Sequence, residues 1–344
     1  MILENSNKNL KAILIIIVIL LTMVLSSCGA KSNTVGTDLA DVNQGLVVTK
    51  QDGNIFYIKN GDVYKTTDLA KKGKLVLDGD YSFINVVGEK LYYYDNGISS
   101  ISKSNMQGFK IEVIAELYIE SMIVNRDNII VSINKGNSEK TPYDIGVLKR
   151  TEKKLANVTP KIIKKNAKLI GVGGDEIYYQ QIGKKGIEVY SCDIKGENES
   201  KLAIIKSNDA KVYIDGDDIY ALYKVKDELA IYKCDKKTNT KVVTIGEHID
   251  FATNSVVNSI YINNGILYYE SVINKAEKYV SVLYKLDTNK KGATSAEIMN
   301  LGDIRKLEMT IKDEKFYTRV TSWDDKAAGT YTVGDWKEYK EAKK

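Results

Sequence analysis

Apolar residues along this chain come in short runs separated by turns rich in Gly, Asp, Asn and Glu, and the runs are rich in β-branched residues and Tyr, as strands are. The stretch "NVVGEKLYYYDNG" (residues 85–97) shows the unit: an apolar strand, a tight turn, then a leucine followed by three tyrosines. The cadence occurs seven times, as "LVVTKQDGNIFYI", "INVVGEKLYYY", "SMIVNRDNIIVSI", "LIGVGGDEIYY", "KVYIDGDDIYALY", "SIYINNGILYY" and "LEMTIKDEKFYT". The first residues after the turns, Ile55, Leu91, Ile129, Ile177, Ile219, Leu267 and Phe316, are spaced 36, 38, 48, 42, 48 and 49 apart. A third strand follows several copies, as in "GDVYKTTD", "IEVYSCDIKG" and "SVLYKLDTNKK", and then a fourth apolar run such as "GKLVLDG", "SKLAIIKS" or "TKVVTIGE".

Repeats of this length, each a four-stranded antiparallel meander, predict an all-β fold, a β-propeller spanning residues 46–344. Seven copies predict seven blades, with six or eight as the neighbouring alternatives. Both faces of a blade are covered by its neighbours, so consecutive bulky residues are expected in one strand. Tyr suits such positions, its ring filling the gap between sheets while its hydroxyl reaches a backbone group or the blade edge. The chain holds 23 Tyr against 5 Phe. No convincing amphipathic helix is visible after the N-terminal segment. The seventh unit shows only three strands before the chain ends, so part of residues 33–44 is expected to pair with the last blade. The alternative is a three-stranded final blade.

The N-terminus has a separate purpose. Lys8 and Lys11 precede the apolar run "AILIIIVILLTMVL", which is short for a membrane span of about 20 residues and is followed by "LSSCG". A Leu, two small residues and Cys resemble the lipobox of bacterial lipoprotein precursors. The resemblance implies a signal peptide over residues 1–27, cleavage before Cys28 and a diacylglycerol on its sulfur. Residues 28–45, polar and small, then form a lipidated tether, and the rest of the chain lies at the extracytoplasmic face of the membrane.

The cadence of "ILYYESVINKAEKYVSVLYKLD" resembles the propeller of low-density-lipoprotein-receptor-related proteins and of bacterial lipoproteins carrying a similar repeat, over most of residues 46–340. The Tyr-Trp-Thr-Asp tetrad of the animal receptors is replaced by approximations such as "LYYYD" and "VYKTTD", and those receptors have six blades. The resemblance implies a surface binding module.

Candidate chemistry is sparse. With residues 1–27 removed, the formal charge falls from +5 to +4, spread without a basic block, so no nucleic-acid partner is expected. Cys192 and Cys234 occupy the same Tyr-x-Cys-Asp slot of adjacent units, too far apart for a disulfide, and read as small buried apolar residues. His248 is the single histidine and falls in the link between units five and six. Histidine or cysteine metal clusters are excluded by count, and no metal or cofactor is expected. "GVGG" (residues 171–174) and "DGDD" (residues 215–218) sit at normal turns of the repeat and read as turns rather than as phosphate or calcium loops.

Trp323 and Trp336 fall in the last unit, Trp323 in a long hairpin "VTSWDDKAAGTY", and are the candidate ligand contacts; packing in the terminal blade is the other reading of each. The expected function is a lipid-anchored, non-enzymatic binding or scaffold module, a monomer, for an envelope protein, peptide or wall glycan. The alternative is a hydrolase or lyase acting on polysaccharide with paired carboxylates at the central channel.

Overall fold

A computed structural model describes residues 39–43, 45–136, 143–150, 158–250, 255–275, 278–323 and 330–340. The expected signal peptide over residues 1–27, Cys28 and most of the expected tether over residues 28–45 lie outside these residues.

The chain forms a seven-bladed β-propeller. The first strands of the blades are Val48–Gln51, Tyr81–Val87, Ile119–Val124, Lys168–Gly173, Lys211–Asp215, Ile260–Asn263 and Lys306–Lys312, and they line the central channel. Blades 1 to 6 continue outward as meanders with strands in sequence order. All seven marker residues fall at the second position of a second strand, and each is at most 6 % exposed.

The tyrosine run is explained by alternation. In blade 2, Leu91 and Tyr93 pack into the apolar cluster shared with blade 1, whereas Tyr92 and Tyr94 pack into the cluster shared with blade 3. Successive side chains of a strand point to opposite faces, and here both faces are interior. Seven apolar clusters fill the seven inter-blade gaps, so the ring is closed. Tyr57 faces Tyr64, Tyr179 faces Tyr190 and Tyr269 faces Tyr284 across the second and third strands, with rings stacked at 5.4–5.5 Å. Their hydroxyls reach outward, as expected: Tyr269 Oη donates to Ser295 Oγ (2.7 Å) and Tyr94 Oη to the Leu117 carbonyl (3.1 Å).

Cys192 lies in the gap between blades 3 and 4 and Cys234 in the gap between blades 4 and 5, both as buried free thiols. Burial pushes them up, to about 11 and about 12. "GVGG" ends the first strand of blade 4 and turns into its second. Asp215 of "DGDD" accepts the backbone N–H groups of Asn264 (2.8 Å) and Gly265 (2.6 Å), tying blade 5 to blade 6.

The closure differs from the expectation. Among the described residues, blade 7 has two short segments, Tyr331–Val333 and Lys337–Tyr339, that both pair with its second strand, Lys315–Trp323. None of the described N-terminal residues supplies a strand to it; residues 33–38 and 44 of the expected pairing segment lie outside the described residues. Residues Leu39–Asn43 instead form a short helix inside the channel, against the first strands of blades 4, 5 and 6. Its Leu39 side chain comes so near Gly171 that a Cβ there would stand 2.5 Å from Leu39 Cδ1. Asp41, 2 % exposed, pairs with Lys312 and accepts from Thr310 Oγ1 (2.9 Å) in blade 7. Five residues are too few for a helix to satisfy its own backbone, and the neighbouring chain completes it: Leu46 N–H donates to the Asp41 carbonyl and Gly45 N–H to the Val42 carbonyl (both 3.0 Å), while Asn43 Nδ2 donates to the Ile214 carbonyl of blade 5 (3.1 Å).

Blade 7 meets blade 1 through the cluster of Val48, Ile55, Tyr57, Leu69, Tyr317 and Trp336. Arg319, 3 % exposed, spans this seam: it binds the Glu308 carboxylate (2.5 Å), donates to the Ile58 carbonyl of blade 1 (2.6 Å) and lies 4.6 Å from the Trp336 ring. Burial opposes ionisation of Glu308, yet Arg319 and Lys306 hold its carboxyl below the usual range. Lys59–Asp335 also crosses the seam but is exposed, and such pairs contribute at most about 1 kcal/mol.

Replacing Arg319 by Met is therefore expected to destabilise the protein by about 3–5 kcal/mol, the scale for breaking a buried ion pair. Asp335→Ala should cost no more than about 1 kcal/mol. Urea unfolding midpoints decide it: equal shifts for the two variants would show that the buried guanidinium does not hold the seam.

Candidate functional site

The loops that enter the first strands, and the hairpins between second and third strands, share one face of the ring, here the upper face. Among the described residues, two cavities that open there concern us. Between them stands the 245–259 link from blade 5 to blade 6, with its small hairpin Ile249–Asp250 and Ser255–Val256.

The link is fixed at its base by Gly246, which approaches blade 6 so closely that a Cβ would stand 1.7 Å from the Val272 carbonyl oxygen; only glycine fits. Its N–H donates to Ser271 Oγ (2.7 Å), and Val272 N–H donates back to the Gly246 carbonyl (3.1 Å). Asn258, 3 % exposed, donates to the carbonyls of Gly246 (2.9 Å) and Glu270 (3.1 Å) and accepts from His248 N–H (2.9 Å). This clamp sets the His248 ring over Glu270, with Nδ1 2.6 Å from Oε1.

Glu270 is fully buried and also accepts from Ser281 Oγ (2.7 Å) and Ser259 N–H (3.2 Å). Burial opposes charge on His248, but the Glu270 carboxyl, the Ile304 carbonyl and Asp303 outweigh it and raise the imidazole above its ordinary value. The two nearby hydroxyls are directed elsewhere, Ser281 to Glu270 and Ser259 to the Leu307 carbonyl (2.6 Å). Among the described residues the imidazole thus faces no free nucleophile, and the dyad forms a strut beneath the surface.

The first cavity, about 290 Å³, lies over this strut. Val272, Ile249 and Ile304 give it apolar walls, and Tyr279, Arg305 and Trp323 line it as well. The Arg305 guanidinium sits 5.4 Å from the Trp323 ring and 3.9 Å from the Tyr331 ring. Tyr279 is 73 % exposed, Tyr331 51 % and Trp323 37 %, which leaves ring faces available. The second cavity, about 390 Å³, is the channel mouth, floored by Val42, Asn43 and Leu46 and rimmed by Glu120, Lys168 and Lys211. Lys168 pairs with Glu120 (3.1 Å), and Lys211 Nζ donates to the Val256 carbonyl of the hairpin (2.7 Å). Glu120 is the sole carboxylate lining this cavity among the described residues.

The sequence candidates separate. Trp323 lies at the upper cavity, whereas Trp336 is 3 % exposed, packs in the seam between blades 7 and 1 and lines a separate cavity of about 370 Å³ there with Lys59, Lys72 and Arg319, so the two do not form one site. Sequence reading did not bring out Arg305, Tyr279, Tyr331 or Glu270, and it left His248 as a loop residue. One signal was present: Glu270 interrupts the apolar run "ILYYESV", and a lone carboxylate in a strand buried on both faces needs a partner.

No protein-family model and no curated protein sequence matches the chain. Solved structures are similar to it in fold. The β-propeller domain of the trilobed protease from Pyrococcus furiosus, described as having an open velcro topology, aligns with a TM-score of 0.52 at 13 % identity, covering 86 % of this chain and 93 % of that one. The acylaminoacyl peptidase of Pyrococcus horikoshii aligns at 0.51 and 14 % identity, over 87 % of this chain and 54 % of the peptidase. A prolyl endopeptidase aligns at 0.51 and 12 % identity, over 87 % and 52 %. This chain spans about half the length of the two peptidases. At these identities the likeness establishes the fold alone.

Because His248 is raised in the folded state, the strut contributes stability that is complete below the unfolded histidine value near 6.5 and fades as pH rises through the higher folded value. Glu270→Gln should remove that pH dependence. Unfolding midpoints between about pH 5.5 and 8.5 test this, and a slope that survives the substitution would separate His248 from Glu270.

Proposed function

We propose that this protein is a binding module, held at the extracytoplasmic face of the membrane by a lipid on Cys28 and working as a monomer, whose upper face recognises a peptide or glycan of the cell envelope. The observation that carries the reading is the aromatic and arginine rim over the blade 6–7 cavity. Trp323, Tyr279 and Tyr331 expose ring faces beside Arg305, while His248, Ser281 and Ser259 are all bonded inward.

Rigid aromatics beside a guanidinium form the kind of anchor that dominates recognition surfaces, since they bury large area with few rotatable bonds. The likeness of the repeat to receptor-related propellers and to lipoproteins carrying such domains supports the same role. The alternative, a polysaccharide hydrolase or lyase, needs two facing carboxylates several ångströms apart. Glu120, ion-paired with Lys168, has no such companion at the channel mouth among the described residues.

Binding of the purified protein to arrays of envelope glycans and peptides tests the reading. Trp323→Ala and Arg305→Ala should each weaken the best ligand by roughly thirtyfold, the scale of a hot-spot residue near 2 kcal/mol. Both variants binding like the wild type would remove the upper rim from the site. Cys28→Ser should abolish incorporation of labelled lipid, and unchanged labelling would refute the anchor.

A further inference from the structure

The lower face carries an apolar surface of a different kind. Leu75, Phe109 and Ile111 are 45 %, 69 % and 56 % exposed. Leu75 belongs to the outer strand of blade 1, Lys74–Leu77, and the other two to the loop before the outer strand of blade 2, Glu112–Glu116. The loop abuts that blade 1 strand: Gly108 is so near Val76 that a Cβ would stand 2.1 Å from the Val76 carbonyl oxygen, and Met106 and Val76 pack against the same apolar cluster between blades 1 and 2. One rim therefore presents all three side chains.

Phe109 is held out rather than frayed. Its N–H donates to Asn105 Oδ1 (2.8 Å) and its carbonyl accepts from Asn105 N–H (2.9 Å). An aromatic that is both fixed by its backbone and mostly exposed is arranged for contact.

The charge around it is mostly positive. Lys74 precedes Leu75, Lys110 stands between Phe109 and Ile111, and Lys71 and Lys72 lie on the loop leading to Lys74; all four are exposed, and none is in an ion pair among the described residues. Residues 65–75 and 103–112 hold six lysines against two carboxylates. Both carboxylates are engaged, Asp68 with Ala70 N–H (3.0 Å) and Tyr317 Oη (3.2 Å), and Glu112 with Lys103 (3.6 Å).

We infer that this lower rim docks on the anionic phospholipid surface of the membrane, with Phe109, Ile111 and Leu75 entering the interface and Lys74 and Lys110 contacting lipid phosphates. The step rests on the lipid anchor only for proximity. Ten residues lie between Cys28 and Leu39, so eleven steps of 3.3–3.6 Å give a reach of at most about 40 Å. An anchored propeller therefore meets the bilayer at a high effective concentration, on the order of millimolar, so a small patch suffices. With the lower rim on the lipid, the upper rim of Trp323 and Arg305 faces away from the membrane.

The full chain reconstituted into vesicles, carrying Phe109→Trp, reports on this directly. In phosphatidylglycerol-containing vesicles, the emission added by the new tryptophan should shift to the blue and be quenched by brominated acyl chains. The native Trp323 and Trp336 should not be quenched. Adding Lys74→Gln and Lys110→Gln should reduce that quenching at limiting lipid by about tenfold or more, at roughly fivefold per lysine beside an anionic surface.

Phe109→Trp emission that stays unquenched on anionic vesicles overturns the inference. So does equal quenching on purely phosphatidylcholine vesicles, or capture of the patch by an anionic wall polymer in preference to vesicles. The mass of the N-terminal fragment reads the lipid on Cys28 separately, so the anchor and the docking rim can fail independently.

Discussion

Each blade of this protein is a sheet with no solvent face, and that constraint organises everything else. A sheet buried on both sides must place bulky side chains at successive positions, and its neighbours must do the same. Burying a Leu- or Phe-sized side chain contributes about 1.5–3 kcal/mol relative to exposure, so seven filled gaps outweigh any exposed ion pair. The constraint also explains the choice of Tyr. A residue spanning the gap between blades ends near the outer edge, where a hydroxyl finds Ser295 or the Leu117 carbonyl while the ring stays dry.

The seam where the ring closes shows what happens when the repeat runs short. Blade 7 lacks a continuous third strand, and the apolar cluster it shares with blade 1 is the smallest of the seven. Arg319 compensates by linking Glu308, the Ile58 carbonyl and the Trp336 ring. Inside the channel, the Leu39–Asn43 helix adds a second tie, through Asp41, to the same blade. These buried polar groups therefore fall at the seam and the plug, where repeat packing alone is weakest.

The two faces have diverged because loops, unlike strands, are free of the two-sided packing rule. On the upper face, the link between blades 5 and 6 is held by Gly246 and Asn258 and builds a firm base for an aromatic and arginine rim. On the lower face, the blade 1–2 edge carries exposed apolar residues among unpaired lysines. The proposed binding rim and the proposed lipid-docking rim thus lie on opposite faces, an arrangement consistent with the proposed tether to a bilayer.

Blade number, strand order and the burial of the tyrosine runs were legible in the sequence, because each blade is a local meander and each buried face imposes a period-two pattern within one short segment. The separation of Cys192 from Cys234 followed in the same way, from equivalent slots in successive repeats. Of the candidate site only Trp323 was legible, and its partners were not, for the opposite reason. His248 meets Glu270, and Arg305 meets Trp323 and Tyr331, across 18 to 26 residues of loop and strand. Only the close approach at Gly246 and the curvature of the ring bring these pairs together. The placement of residues 39–43 was likewise decided by the channel: a segment that reads as tether becomes a helix because the first strands of blades 4 to 7 offer it apolar contacts and a buried lysine for Asp41.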